Sequence, residues 1–237
     1  MTGVQTCALP ISTPDGLQLI FSAQDWQPPF GLAIPFERFY ARGIVSDGRL
    51  AVSEITAGLY GGDARGGLEL TWNRGWALSG RVQANRIDVQ PMLQVLQSAL
   101  PVRGTLKTEL HFSTTAESPA LLADALRLDG NFKLTNGTLN DFDFSRVIQG
   151  AGRDGVRGGQ TRFEQFTGNV QVGSGYRFTA LRLSSGMMSA AGNMDISGNG
   201  QISGTVAVSL TGSASSLSAT VLASGTLTNP VLLPSGR

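Results

Sequence analysis

Few side chains in this sequence are placed to do chemistry. His111 is the only histidine, and in the run RGTLKTELHF strand alternation puts it on the polar side with Lys107 and Glu109, opposite Leu106, Leu110 and Phe112. An exposed histidine without a positioned partner has no acid–base role. Cys7 is the only cysteine, which leaves no usable second ligand for zinc and no intrachain disulfide. Asp141 and Asp143 flank Phe142, so in a strand their carboxylates would share a face. Such a pair can do acid–base work or bind calcium if more oxygens converge, but none are visible, and capping a following helix is the simpler use. Gly150, Gly152 and Gly155 spell G-x-G-x-x-G. A nucleotide loop needs a strand before it and a helix after it; here a helical turn precedes and more glycine follows. Arg146, Arg153, Arg157 and Arg162 fall around this loop, with Asp154 and Glu164 interspersed. They are either a solvated loop or contacts to anionic headgroups. With no G-x-S-x-G, H-E-x-x-H or Walker loop, the chain reads as a non-enzyme without cofactor, nucleotide or metal.

The elements that would position these residues are mostly strands. Thirty-one glycines and 7% aromatic residues in 237 suit short strands and tight turns better than a thick globular core. A net charge of +1 with 15% charged residues provides no basic stripe for nucleic acid. No apolar run approaches the length of a membrane helix. The opening MTGVQTCALPIS resembles a translated sequencing-adapter leader, so residues 1–12 are set aside as non-native. Residues 13–35 read as a partial strand, Leu17 to Phe21, followed by a proline-rich linker.

From Phe36 to Leu78 alternating runs such as Leu68, Leu70, Trp72 are divided by turn signals at Asp47-Gly48, Gly61-Gly62-Asp63 and Asn73-Arg74-Gly75, a meander of antiparallel sheet with one apolar face. A helix follows, with Asp88 as N-cap, Pro91 in its first turn, Met92, Val95, Leu96 and Leu100 on one side, and Pro101 as its stop. Ser118 and Pro119 open a second short helix. The stretch Leu128 to Gly150 reads as a β-hairpin, Phe132 and Leu134 before an Asn136-Gly137 turn and Leu139 after it, running into a helical turn. Beyond the Arg-rich loop, strands of period two run almost to the end, among them Val206, Val208, Leu210 and Leu217, Ala219, Val221. A weak internal repeat relates residues 36–100 to 161–234, setting Gly67, Leu68 and Leu70 against Gly192, Met194 and Ile196. The fold class expected is mostly β: an elongated, curved antiparallel sheet, grooved and solenoid-like, with two or three short capping helices.

Two stretches carry a resemblance. GLYGGDARGGLEL, a strand ending in a Tyr-Gly-Gly turn and returning as G-x-L-x-L, and LDGNFKLTNGTLNDFDFSRVIQG resemble the C-terminal region of the AsmA family of bacterial envelope proteins, relatives of TamB-like proteins. The closing SGTLTNP is similar to that family's terminal strand, so the resemblance spans Phe36 to Pro234. It implies a single domain over residues 36–237, a periplasmic location, and an inner-membrane anchor helix that this chain lacks. It also implies that phospholipid acyl chains pass along an apolar β groove. Each buried CH₂ contributes about 0.8 kcal/mol, which is enough to hold a tail there with its headgroup wet. Leu68, Leu70, Trp72, Leu106, Leu110, Phe132, Leu134, Val206 and Val208 are the candidate groove lining, and an ordinary closed core is the competing use of the same residues. Arg146, Arg153, Arg157 and Arg162 are the candidate headgroup contacts. Phospholipid or a membrane surface is the partner implied, with outer-membrane protein precursors or a purely structural role as alternatives.

Overall fold

The computed structural model describes residues 11–13, 16–28, 33–150, 155–212 and 216–235. Strands dominate, as expected. The first half carries β1 (Ile11–Thr13), β2 (Gly16–Trp26), β3 (Phe36–Ser46), β4 (Arg49–Leu59), β5 (Gly62–Thr71), β6 (Trp76–Asp88), helix α1 (Val89–Val95) and β7 (Val102–Ala116). A 3₁₀ turn (Pro119–Leu121) leads to β8 (Arg127–Asn140) and helix α2 (Phe144–Ile148). Then come β9 (Gln160–Val172), β10 (Tyr176–Ser185), β11 (Met188–Ile196), β12 (Ile202–Thr211), β13 (Ser216–Thr226) and β14 (Asn229–Pro234). In hydrogen-bonding order the strands follow the chain from β1 to β14, an open meander.

The residues form two compact units. The first comprises residues 1–96 and 107–130, and the second residues 97–106 and 131–237, so β7 and β8 contribute to both. Within the first, β1 to β6 pair antiparallel in sequence order. Within the second, β9 to β14 do the same.

Local chemistry explains most boundaries. Tyr60 (φ 51°) and Gly61 (φ 72°) make the two-residue turn between β4 and β5, both in the left-handed region as a type I′ hairpin turn requires. Asp88 caps α1 by accepting from the Gln90 amide at 3.0 Å. That helix is shorter than its apolar pattern implied. It ends at Leu96 because Gln97 turns left-handed (φ 51°), well before Pro101, and Leu100 lies outside it. The second helix reduces to one 3₁₀ turn, and the Ser118 side chain makes no capping bond. Asn136-Gly137 is not a hairpin turn. Residues 127–140 form a single strand in which Asn136 alone takes a positive φ, 52°.

Glycines inside strands have a further use. A Cβ on Gly80 would sit 2.5 Å from the Phe112 ring, one on Gly137 would sit 2.3 Å from the Phe163 ring, and one on Gly168 would sit 3.1 Å from the Phe132 ring. In each case the outer carbons of a phenylalanine ring occupy the space that the missing Cβ leaves.

The two units bury apolar surface differently. In the second, Phe142, Phe144 and Val147 on and before α2 are buried together with Leu183, Ile202, Val206, Val208, Val221 and Leu232 of the sheet. Helix α2 packs against β9, β12, β13 and β14. Thr161 fixes its start, its buried hydroxyl donating to the Phe142 carbonyl at 2.7 Å and accepting from the Phe144 amide at 3.2 Å. Among the described residues of the first unit the buried apolar side chains are few and small, Ala23, Ala57 and Ala84, apart from Ile87, Val89 and Leu93 around α1.

One buried polar atom in the first unit has no partner, the Tyr60 hydroxyl, and burial raises its pKa above the ordinary phenol value. A hydroxyl left without a hydrogen bond costs about 1–3 kcal/mol, so Tyr60→Phe is expected to stabilise the protein by up to about 1 kcal/mol in urea melts at neutral pH. Above pH about 10 the folded state holds this proton more tightly than the unfolded chain, so wild-type stability falls as pH rises. The Phe variant should lose that part of the slope.

Candidate functional site

Strand register places the candidate lining of the first unit. Ala23, Phe39, Ala57, Ala64 and Ala84 are directly opposite one another on β2 to β6 and form one row across the sheet. The next row on the same face is Phe21, Ala41, Ile55, Gly66 and Val82, followed by Leu19, Gly43, Val52, Leu68 and Gly80. Leu50, Leu70 and Leu78 continue the face. Irregular register at Arg42/Gly43 and at Val52/Ile55 shifts the pairing locally without breaking the alternation of faces.

Among the described residues this face is apolar over five strands, and neither helix packs extensively on β2 to β5. Its large side chains, including Leu68, Leu70 and Val52, are half-buried. Trp72, just past β5, is half-buried and stacks on Trp76 with centroids 5.9 Å apart. Leu110 is half-buried on β7. At one side Phe21, Trp26, Phe36 and Phe39 form a ring cluster with centroid separations of 5.0–5.8 Å. Asp25, at φ 47°, precedes the tryptophan of this cluster.

The opposite face is polar. Arg49 meets Glu69 at 2.9 Å, and Asp63 lies between Arg86 at 2.8 Å and Arg38 at 3.8 Å. These pairs are solvent-exposed and contribute little to stability.

The candidates in the second unit are in other surroundings. Leu134 is 5% exposed, Val206 4% and Val208 1%; Val206 and Val208 belong to the packed interior described above, and Leu134 is buried on β8. Phe132 is half-buried among Phe166, Phe178 and Gly168, and Leu106 is half-buried on β7. Register therefore brings together Leu68, Leu70 and their neighbours on an uncovered face, and separates them from Leu134, Val206 and Val208.

Arg146, Arg157 and Arg162 are exposed. The Arg146 amide donates to the Asp143 carboxylate that caps α2, and the Arg157 guanidinium donates to the Asn229 side chain at 3.2 Å. Arg162 is exposed on β9, and Arg153 lies outside the described residues. Asp143 is the helix cap expected, while Asp141 takes a left-handed backbone (φ 64°) beside it. His111 does have a partner: its Nδ1 is 3.9 Å from the Asp129 carboxylate, both largely solvent-exposed. Of the three glycines in the G-x-G-x-x-G run, Gly152 falls outside the described residues, and the element after Gly155 is strand β9 rather than a helix. Among the described residues no group of three or more His, Cys, Asp or Glu could hold a metal, and no helix is long and apolar enough to cross a membrane.

Two features lay beyond sequence reasoning. The aromatic cluster draws on Phe21 and Trp26, which fall where a partial strand and a proline-rich linker are read, and joins them to Phe36 and Phe39 of the meander. Val156, in the Arg-rich loop, is buried and forms an antiparallel bridge to Leu232 with both hydrogen bonds, of 2.8 and 3.0 Å. Its only sequence signal is a lone apolar residue among glycines and arginines.

No curated protein and no solved structure gives a match to this chain. The model of the AsmA family matches residues 34–179, from the start of β3 into β10, and includes both stretches on which the resemblance rests. The chain belongs to the AsmA family, a family of bacterial envelope proteins.

Proposed function

We propose that this protein is a non-enzymatic component of envelope maintenance that binds or conducts phospholipid by shielding acyl chains on the apolar face of its first unit. The observation that carries this reading is the uncovered, half-buried apolar face of β2 to β6, backed by a polar face with its ion pairs. A soluble domain seldom leaves such a patch unpartnered. Five strands at about 4.8 Å spacing span about 19 Å, comparable to one extended acyl chain. Residues Leu68, Leu70, Trp72 and Leu110 line this face, whereas headgroups would stay at its wet margins. The reading places the protein in the periplasm.

The test is native mass spectrometry with lipid extraction on residues 13–237 produced in a bacterial periplasm. Co-purifying phospholipid that falls at least fivefold in Leu70→Asp, with the melting temperature nearly unchanged, supports the reading. A stably folded, lipid-free wild type overturns it and moves the role to protein assembly or structure.

A further inference from the structure

The polar face of the first unit carries positive charge that its ion pairs leave over. The carboxylates of β4, β5 and β6 are all placed: Asp63 lies between Arg86 and Arg38, Glu69 meets Arg49, Asp88 caps α1, and Glu54 is directly opposite Arg42 of β3. Arg65 and Arg81 remain. Among the described residues neither of their guanidinium groups forms an ion pair. Register nevertheless sets them side by side. Arg65 is directly opposite Gln83 and Gly67 directly opposite Arg81, so the two arginines are diagonal neighbours on adjacent strands, with Cα atoms about 7–8 Å apart. Gly67 offers no side chain to the space between them. That space belongs to a depression of about 810 Å³, which Ser79, Gln83 and His111 also line. Glu69 is its one carboxylate among the described residues, and Arg49 already neutralises it at 2.9 Å. Two like charges on a diagonal do nothing for the sheet, and the groups around them are a hydroxyl, an amide and an imidazole, all able to donate.

We propose that Arg65 and Arg81 form a binding site for a phosphate monoester. A guanidinium presents its N–H groups as a planar fork that matches two phosphate oxygens, and forks from adjacent strands can hold one phosphate from both sides. A monoester carries close to two negative charges at neutral pH, equal to the two free cations, whereas a diester carries one. The depression is larger than a bare phosphate needs and lies in the size range of small-molecule sites, so the organic part of the ester has room over the backbone of Gly66 and Gly67. Strand alternation puts this site on the other side of β5 from Leu68 and Leu70, so it is independent of the acyl-chain reading.

The experiment is isothermal titration calorimetry on the whole chain, with glycerol phosphate as the monoester and diethyl phosphate as the diester. Wild type is expected to bind the monoester about tenfold more tightly than the diester. Arg65→Gln and Arg81→Gln should each weaken monoester binding about tenfold, the loss of one charge-assisted fork, with the melting temperature unchanged because both side chains are exposed. Arg49→Gln, which frees the Glu69 carboxylate beside the site, should weaken it too, although Arg49 does not line the depression. Arg42→Gln, on the same face but outside the depression, should leave it within about twofold. An equal loss in Arg42→Gln, or equal binding of monoester and diester, overturns the site in favour of diffuse attraction to a basic surface, and absence of binding overturns it outright. Flotation with phosphatidylcholine vesicles, with and without phosphatidic acid, then separates the sources of the monoester. Flotation that requires both phosphatidic acid and Arg65 assigns the site to a lipid headgroup, and monoester binding without it assigns the site to a soluble ester.

Discussion

Val208→Asp is expected to cost more than about 4 kcal/mol and to strip amide protection from β12 and β13. The side chain is 1% exposed, with Val206 beside it on β12 and Ala190 and Ala219 opposite it on the neighbouring strands. Its buried neighbours Val206 and Ala190 are apolar and offer a carboxylate no partner. Hydrogen exchange by mass spectrometry locates the effect. The three tryptophans, Trp26, Trp72 and Trp76, all belong to the first unit, so their fluorescence follows that unit alone. A variant that keeps its protection and loses less than about 1 kcal/mol would mean that β12 presents an open surface like that of β5, contrary to the packing described. This contrast gives Leu70→Asp its value as a lipid probe, because Val208→Asp cannot separate loss of a ligand from loss of the unit.

The second large effect belongs to Gly137. Its added Cβ would meet the Phe163 ring at 2.3 Å and the Arg103 carbonyl oxygen at 2.1 Å, and Phe163 is only 3% exposed. Neither neighbour can retreat without moving a strand, so Gly137→Ala is expected to destabilise by about 3 kcal/mol, the upper range for overpacking. Two companions calibrate the result in urea melts. Gly61→Ala, with nothing within 4 Å but a φ of 72°, should cost about 1 kcal/mol from backbone strain alone. Gly168→Ala meets only side chains, Leu181 at 2.7 Å and Phe132 at 3.1 Å, and should be partly relieved by Phe132→Leu in a double-mutant cycle. Additivity in that cycle would show that the ring and the glycine are not coupled.

These glycines also show what a sequence does and does not display. Turn chemistry is local, so Asp47-Gly48 and the caps at Asp88 and Asp143 were legible from a few neighbouring residues, while the turn read at Gly61-Gly62-Asp63 falls on Tyr60-Gly61, with Gly62 and Asp63 already in β5. Asn136-Gly137 has the same local signature as a hairpin turn, yet it lies in mid-strand. What keeps the strand running there is a ring at Phe163, 26 residues further on (163 − 137), which no local pattern contains. The same holds for the site. Alternation in β5 and β12 looks alike, and period two assigns both Leu70 and Val208 to an apolar face. Only the landing place of α2, fixed by the Thr161 hydroxyl, makes one face an interior and leaves the other uncovered. The alanine row is likewise a property of register across five strands, and irregular pairing at Arg42/Gly43 and Val52/Ile55 puts it out of reach of residue counting.

The strand order has a consequence for how the chain reaches this state. Because β2 to β6 and β9 to β14 each pair with the strand just before them, almost every strand finds its partner through a short turn, with little loop entropy to overcome. Such a chain can zip from its N-terminal end while the remainder is still unstructured. The Val156–Leu232 bridge is the exception, joining residues 76 apart (232 − 156) and covering part of the outer edge of β14. It can close only after that last strand has arrived, which makes it the natural final step of assembly and a guard against edge-to-edge association once assembly is done.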